Sequence, residues 1–128
     1  MIAVDTSALM AIVLNEPEAD ACAAVLEVED HVLISAATAA EALIMAERWN
    51  VSAEMSRLLG ELGLQFISVT SATARRVADV YAQWGRGSHP AELNFGDCFS
   101  YDVAKENGCP LLFVGHGFSH TDIRSAIG

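Results

Sequence analysis

Ile2, Ala3 and Val4 form a short apolar run that stops at Asp5, and from Thr6 to Leu14 the apolar residues recur at helical spacing. That pattern predicts a strand feeding straight into a helix. Pro17 at a helix start opens the next element, an amphipathic helix over Glu18 to Glu29 carried by its alanines, Val25 and Leu26. His31 to Ile34 is a second strand, and Ser35 then caps a helix reaching about Trp49. Ser52 to Leu62 reads as a further helix stopped by Gly63, Gln65 to Val69 as a third strand, and Ser71 as the cap of a helix ending at Trp84. Gly85-Arg86-Gly87-Ser88-His89-Pro90 is the one obvious long loop. Asn94 begins the last substantial helix, Gly108 ends it, Leu111 to Val114 makes a fourth strand, and one more short strand is expected near Ile123. Strands alternating with helices predict an α/β fold with a parallel sheet covered on both faces.

At 128 residues there is room for one domain, residues 1–128, and not for a second. Apolar residues make up 52% and mean hydropathy is +0.33, an excess that favours a covered surface and a homodimer. Seven Lys+Arg against 17 Asp+Glu give a formal charge of -10, which opposes a polyanion at long range. Nucleic-acid chemistry therefore requires a local reversal of sign, by divalent ions on clustered carboxylates or by a partner's basic residues. Cys22, Cys98 and Cys109 are odd in number and lack the paired spacing of a zinc or redox motif; they read as small buried hydrophobes in a reducing compartment. No basic segment precedes an apolar stretch at the N-terminus, and the longest apolar span, Val32 to Ala46, is too short for a membrane and carries Glu41. The expectation is a cytoplasmic protein without a membrane segment.

Three acids stand out against apolar surroundings. Asp5 sits at the carboxyl end of the first strand, where open parallel sheets bind ligands, although it serves equally as an N-cap. Glu41 lies in Ala36-Ala37-Thr38-Ala39-Ala40-Glu41-Ala42-Leu43-Ile44-Met45-Ala46, a helix apolar on almost every side and so expected to be buried. A carboxylate there needs a cation or donors, unless it reaches the surface or pairs with an arginine. Asp97, in Leu93-Asn94-Phe95-Gly96-Asp97-Cys98-Phe99, fits a capping arrangement with Asn94 but again has apolar neighbours. If the three converge, their mutual repulsion is relieved by a hard divalent cation, and oxygen-only ligands suit Mg²⁺ or Mn²⁺. The chemistry expected of such a centre is phosphodiester hydrolysis.

Val4-Asp5-Thr6-Ser7-Ala8-Leu9, Glu41 in its alanine-rich helix, Leu93 to Phe99, Pro110-Leu111-Leu112-Phe113 and Phe118-Ser119-His120-Thr121-Asp122-Ile123 together resemble, in order and spacing, VapC-type PIN domains. The resemblance implies a three-layer α/β/α sandwich with a central parallel sheet. It implies a Mg²⁺- or Mn²⁺-dependent endoribonuclease toxin of a type II toxin–antitoxin pair, neutralised by a VapB-like antitoxin. By position, Asp5, Glu41 and Asp97 become the catalytic, metal-binding acids, with Thr6 and Ser7 as further hydroxyl candidates. The pattern breaks at Val114-Gly115-His116-Gly117-Phe118, where relatives place a fourth acid before the phenylalanine. His116 is a substitute ligand or an exposed turn residue, and Asp122 a further candidate acid or a turn cap. The break also motivates a second reading, a catalytically degenerate PIN-fold module that binds antitoxin without cutting RNA.

Arg86 and His89, in a loop where Gly85 and Gly87 let the backbone approach closely, are the candidate RNA contacts, against the alternative of a plain surface turn. Arg48, Arg75 and Arg76 read as solvated helix faces, and Trp49, Tyr81 and Trp84 as residues buried against neighbouring helices. A haloacid-dehalogenase phosphatase needs a second acid where Ser7 stands, and a receiver domain needs neighbouring early acids and a lysine after a strand, whereas Lys105 lies in a helix.

Overall fold

In the computed structural model, which describes residues 1–127, every strand is parallel to its neighbours. β1 (Ile2–Val4), β2 (Val32–Ser35), β3 (Gln65–Ile67) and β4 (Leu111–Leu112) are ordered β3-β2-β1-β4, so β1 is central and β3 is an edge. Alternation along the strands divides the core in two. Ala3, Leu33 and Leu111 face α5 (Ser71–Trp84) and α6 (Phe95–Glu106), burying Val77, Val80, Phe99 and Val103 with them. Ile2, Val4, Val32, Ile34 and Leu112 face the other way, onto α1 (Thr6–Val13), α2 (Ala19–Val28), α3 (Ala36–Arg48) and α4 (Ser52–Glu61), with Leu9, Cys22, Ala42 and Met55. The sheet is thus the middle of three layers, the α/β/α sandwich expected.

Local sequence sets most element ends. Ser35 accepts from Ala37 N at 3.2 Å and starts α3, and Asn94 starts α6. α5 begins one residue earlier than the serine suggests: Thr70 is its cap, bonded reciprocally with Thr73, and Ser71 is the first helical residue. The fourth strand ends at Leu112, two residues short of expectation, because Val114 N turns aside to Ser7 Oγ. Near Ile123 the chain forms only a single parallel bridge, Leu111 to Ser125. All three cysteines are free and buried.

Several side chains sit differently from their sequence reading. α3 is not buried all round, since Leu43 and Ile44 are exposed on its outer side. Trp49 and Tyr81 are exposed too, while Trp84 is half-buried and donates to Tyr101 Oη at 3.1 Å. Arg76 is no free surface charge: its guanidinium grips the buried Asp102 at 2.7 and 3.0 Å and locks α5 onto α6. No helix among the described residues is long and apolar enough to cross a membrane.

Candidate active site

The carboxyl end of the central strand delivers Asp5 into the sheet's edge, where it also caps α1. Its Oδ2 accepts from Ser7 N at 3.1 Å and Ser7 Oγ at 2.7 Å, and its Oδ1 from Ser100 Oγ at 2.5 Å. Only 3% of Asp5 is exposed, and these donors are what make a buried carboxylate tolerable. Ser100 has one hydrogen, spent on Asp5, so it must accept from Thr38 Oγ1 at 3.2 Å. Strand β1 and helices α1, α3 and α6 are thereby joined through one carboxylate.

Glu41 is half-buried on α3, with Oε1 accepting from Thr6 Oγ1 at 2.7 Å. Asp97 is the third residue of α6 and completes a capping box: its Oδ2 accepts from Asn94 N, and its own N–H donates to Asn94 Oδ1, each at 2.9 Å. For Asp5 and Asp97 the capping role and the site role are therefore compatible, because each spends one part of the carboxylate on the helix start and leaves lone pairs over.

Two observations bring the acids together. The place where a side chain at Gly96 would begin is taken by the Glu41 carboxylate, so Glu41 can hold this position against α6 only because residue 96 lacks a Cβ. Desolvation of the half-buried Asp97 carboxyl pushes its pKa up to about 6, the charges of Asp5 and Glu41 add to this, and the Asn94 N–H and Arg86 pull the other way. Among the described residues, no three His, Cys, Asp or Glu side chains form a ready-made ion-holding group. The acids are linked instead through Ser100 Oγ on Asp5, Thr6 Oγ1 on Glu41 and the Glu41 contact at Gly96, and a hard ion such as Mg²⁺ binds through few protein oxygens while keeping several of its waters. The donor set is oxygen only, three carboxylates with the hydroxyls of Thr6, Ser7 and Ser100 behind them, and so fits Mg²⁺ or Mn²⁺ better than zinc.

Burial of Asp97, with the nearby acids adding to it, has a measurable cost. A carboxyl that titrates near pH 6 when folded and near its ordinary value when unfolded makes stability fall as pH rises from about 4 to about 6 and level off above. In EDTA at pH 7.5, Asp97→Asn is expected to be more stable than the parent by roughly 1–2 kcal/mol, allowing for solvent screening. The advantage should vanish at pH 4. Thermal unfolding at the two pH values checks this, and a variant no more stable at pH 7.5 contradicts it.

The remaining candidates divide. Arg86 is exposed, makes no ion pair among the described residues, and lies near enough to Asp97 to ease its ionisation. His89 instead builds the loop: its Nδ1 accepts from Ala91 N at 3.0 Å and its ring packs edge-on against Trp84 at 4.7 Å. Thr6 and Ser7 point at the acids and orient them. His116 is exposed on the turn that Gly115 makes at φ +106°, and no hydrogen bond among the described residues joins its ring to an acid. Asp122 is held by Tyr101 Oη and Lys105 Nζ, both at 2.6 Å, and is committed to the tail. Sequence reasoning missed Ser100, Thr38 and Gly96. Ser100 and Thr38 stand three residues from Asp97 and Glu41 on the same helices, which was the available signal.

Comparison with known proteins shows the family and the fold. Residues 2–124 match the PIN domain model. The chain is 42% identical over 127 residues to ribonuclease VapC42 of Mycobacterium tuberculosis, covering 96% of this chain and 97% of that one. It is 39% identical over 123 residues to ribonuclease VapC30 of the same organism, covering 94% of each. Among solved structures it resembles M. tuberculosis VapC20, a sarcin-ricin loop cleaving toxin, with TM-score 0.77, 16% identity and coverage of 97% and 99%. It also resembles a toxin–antitoxin complex from Klebsiella pneumoniae, with TM-score 0.72, 16% identity and coverage of 98% of each chain.

Proposed function

Since the chain belongs to the PIN domain family, in its VapC-type branch, we propose that it is a metal-dependent endoribonuclease toxin whose active centre is Asp5, Glu41 and Asp97. The observation that carries the proposal is geometric: Ser100, one turn beyond Asp97 on α6, donates to Asp5, and the Glu41 carboxylate of α3 lies against Gly96, the neighbour of Asp97. Three acids from β1, α3 and α6 are held in one neighbourhood at a cost that an ordinary core would not bear. Relatives aligned over nearly the whole chain are named ribonucleases, and the three acids are intact here, which favours the enzyme over a degenerate binding module.

Asp5, Glu41 and Asp97 would hold the ion, and a bound Mg²⁺ or Mn²⁺ supplies an activated water and positive charge for the phosphorus centre. This chain's own groups prepare the place. Ser7 and Ser100 fix both oxygens of Asp5, and Thr6 fixes Glu41, so that little reorganisation is left for the reaction itself. Without an ion the Asp97 carboxyl is pushed up to about 6, chiefly by burial, and a bound cation would favour its ionised form. Arg86 offers a bidentate contact for a phosphate of the incoming strand. A VapB-like antitoxin is the expected inhibitor and the cytoplasm the expected setting, while the unpaired edge β3, with Phe66 54% and Val69 46% exposed, supports a homodimer.

Purified, antitoxin-free protein is expected to cut RNA in Mn²⁺ or Mg²⁺, to stop in EDTA and to recover when the ion is restored. Cleavage that persists undiminished in EDTA would sink the metal assignment. Failure to cut any structured or single-stranded RNA in either metal would return the degenerate module. Sedimentation of a monomer at micromolar concentration would remove the homodimer.

A further inference from the structure

Beside Glu41 a slot of about 330 Å³ opens between α3 and α6, floored by Ala37 and Ala40 and walled by Ile44, Phe95 and Phe99. We infer that this slot is a nucleobase subsite: it seats one base of the RNA strand next to the bond that is cut, with Phe95 as the stacking face. The inference rests on the ribonuclease reading and names a residue that determines how the strand is held.

Phe95 is the first residue of α6 and is 72% exposed, the most of any phenylalanine here, while Ile44 across the slot is 58% exposed. Phe99 packs against the ring edge-to-face at 5.1 Å and 80°, which restrains it on one side. Much of the ring presents a flat aromatic surface to solvent. Small residues on α3 give the slot its depth, and its one charged group is the carboxylate of Glu41. A phosphate is repelled from such a place, whereas a planar, uncharged ring fits it.

Position selects the occupant further. Glu41 is at once a wall of the slot and a member of the acid group, so a strand whose phosphate lies at the acids carries an adjoining base to Phe95. With no neutral donor or acceptor side chain among its walls, the slot would take purines and pyrimidines alike. The other candidate occupant is a second copy of this chain.

The test uses a single-stranded oligoribonucleotide that the wild-type protein cuts in Mn²⁺, together with versions bearing an abasic ribose on either side of the scissile phosphate. Stacking of one base leads us to expect the wild type to cut one abasic version about tenfold to a hundredfold less efficiently, chiefly through KM. Phe95→Ala should cut the intact strand as poorly and lose nothing more when the base is removed, while Phe95→Trp restores the difference. Independent, multiplying losses overturn the inference, as does a Phe95→Ala protein that sediments as a smaller assembly with KM unchanged, which assigns the slot to a second copy. An arm without cleavage separates this from the ribonuclease reading. On Asp5→Asn protein in Mn²⁺, 2-aminopurine in the oligonucleotide should be quenched, and the quenching lost when Phe95→Ala is added. If the wild type cuts no RNA, the ribonuclease reading fails and the quenching alone decides the slot; absence of quenching overturns the subsite.

Discussion

Asp5→Asn is expected to lower RNA cleavage by about 10²–10³-fold or more while the protein remains folded. Asparagine keeps the shape of the carboxylate. Its amide oxygen can accept from Ser7 N and Ser7 Oγ as Oδ2 does now, and its NH₂ can face Ser100 Oγ, which is free to rotate and accept. What disappears is one negative charge at the carboxyl end of the central strand, in a residue 3% exposed, where solvent supplies little substitute. Single-turnover cleavage in saturating Mn²⁺, set beside a thermal melt, separates the two effects. A variant that melts like the parent and cuts like the parent would remove Asp5 from the centre.

The acids were legible in the sequence because each conflicts with its surroundings, and a conflict between an ionised group and apolar neighbours shows in a linear string. Asp5 ends an apolar run, and Asp97 stands between Phe95 and Phe99. The sheet was legible for the same reason, since two-faced burial demands nearly continuous apolar strands. Glu41 was found by a premise only partly right: its helix leaves Leu43 and Ile44 exposed, and the carboxylate is half-buried rather than enclosed. Hydrophobicity in α3 marks a surface as well as a core, and periodicity cannot separate the two. Ser100 and Thr38 carried no such conflict. A serine and a threonine in helices are unremarkable until α3 and α6 cross and set their hydroxyls 3.2 Å apart. His89 has a role that the sequence did not show, since its Nδ1 accepts from Ala91 N and so helps to build the loop in which it stands.

Gly96→Ala gives the second large effect, one that helix propensity alone would misjudge. Alanine is favoured over glycine in a helix by about 1 kcal/mol, so a substitution in the first turn of α6 should by itself stabilise the protein. At this position the added methyl would occupy the space of the Glu41 carboxylate, with Oε2, Cδ and Oε1 its three nearest atoms. Glu41 is a long side chain and can swing away, so the expected outcome is a folded protein with a displaced acid. The Thr6 Oγ1 bond at 2.7 Å would then be lost as well, releasing the one restraint that aims Glu41 at the centre. A misplacement of about 1 Å costs on the order of 10²-fold in rate, and a comparable loss of cleavage is expected here. Because the carboxylate is moved rather than deleted, raising Mn²⁺ concentration should recover part of the activity of Gly96→Ala and none of that of Glu41→Ala. Cleavage measured across a metal titration checks both variants. Full activity in Gly96→Ala at low Mn²⁺ would mean that the contact between α6 and Glu41 has no part in assembling the site.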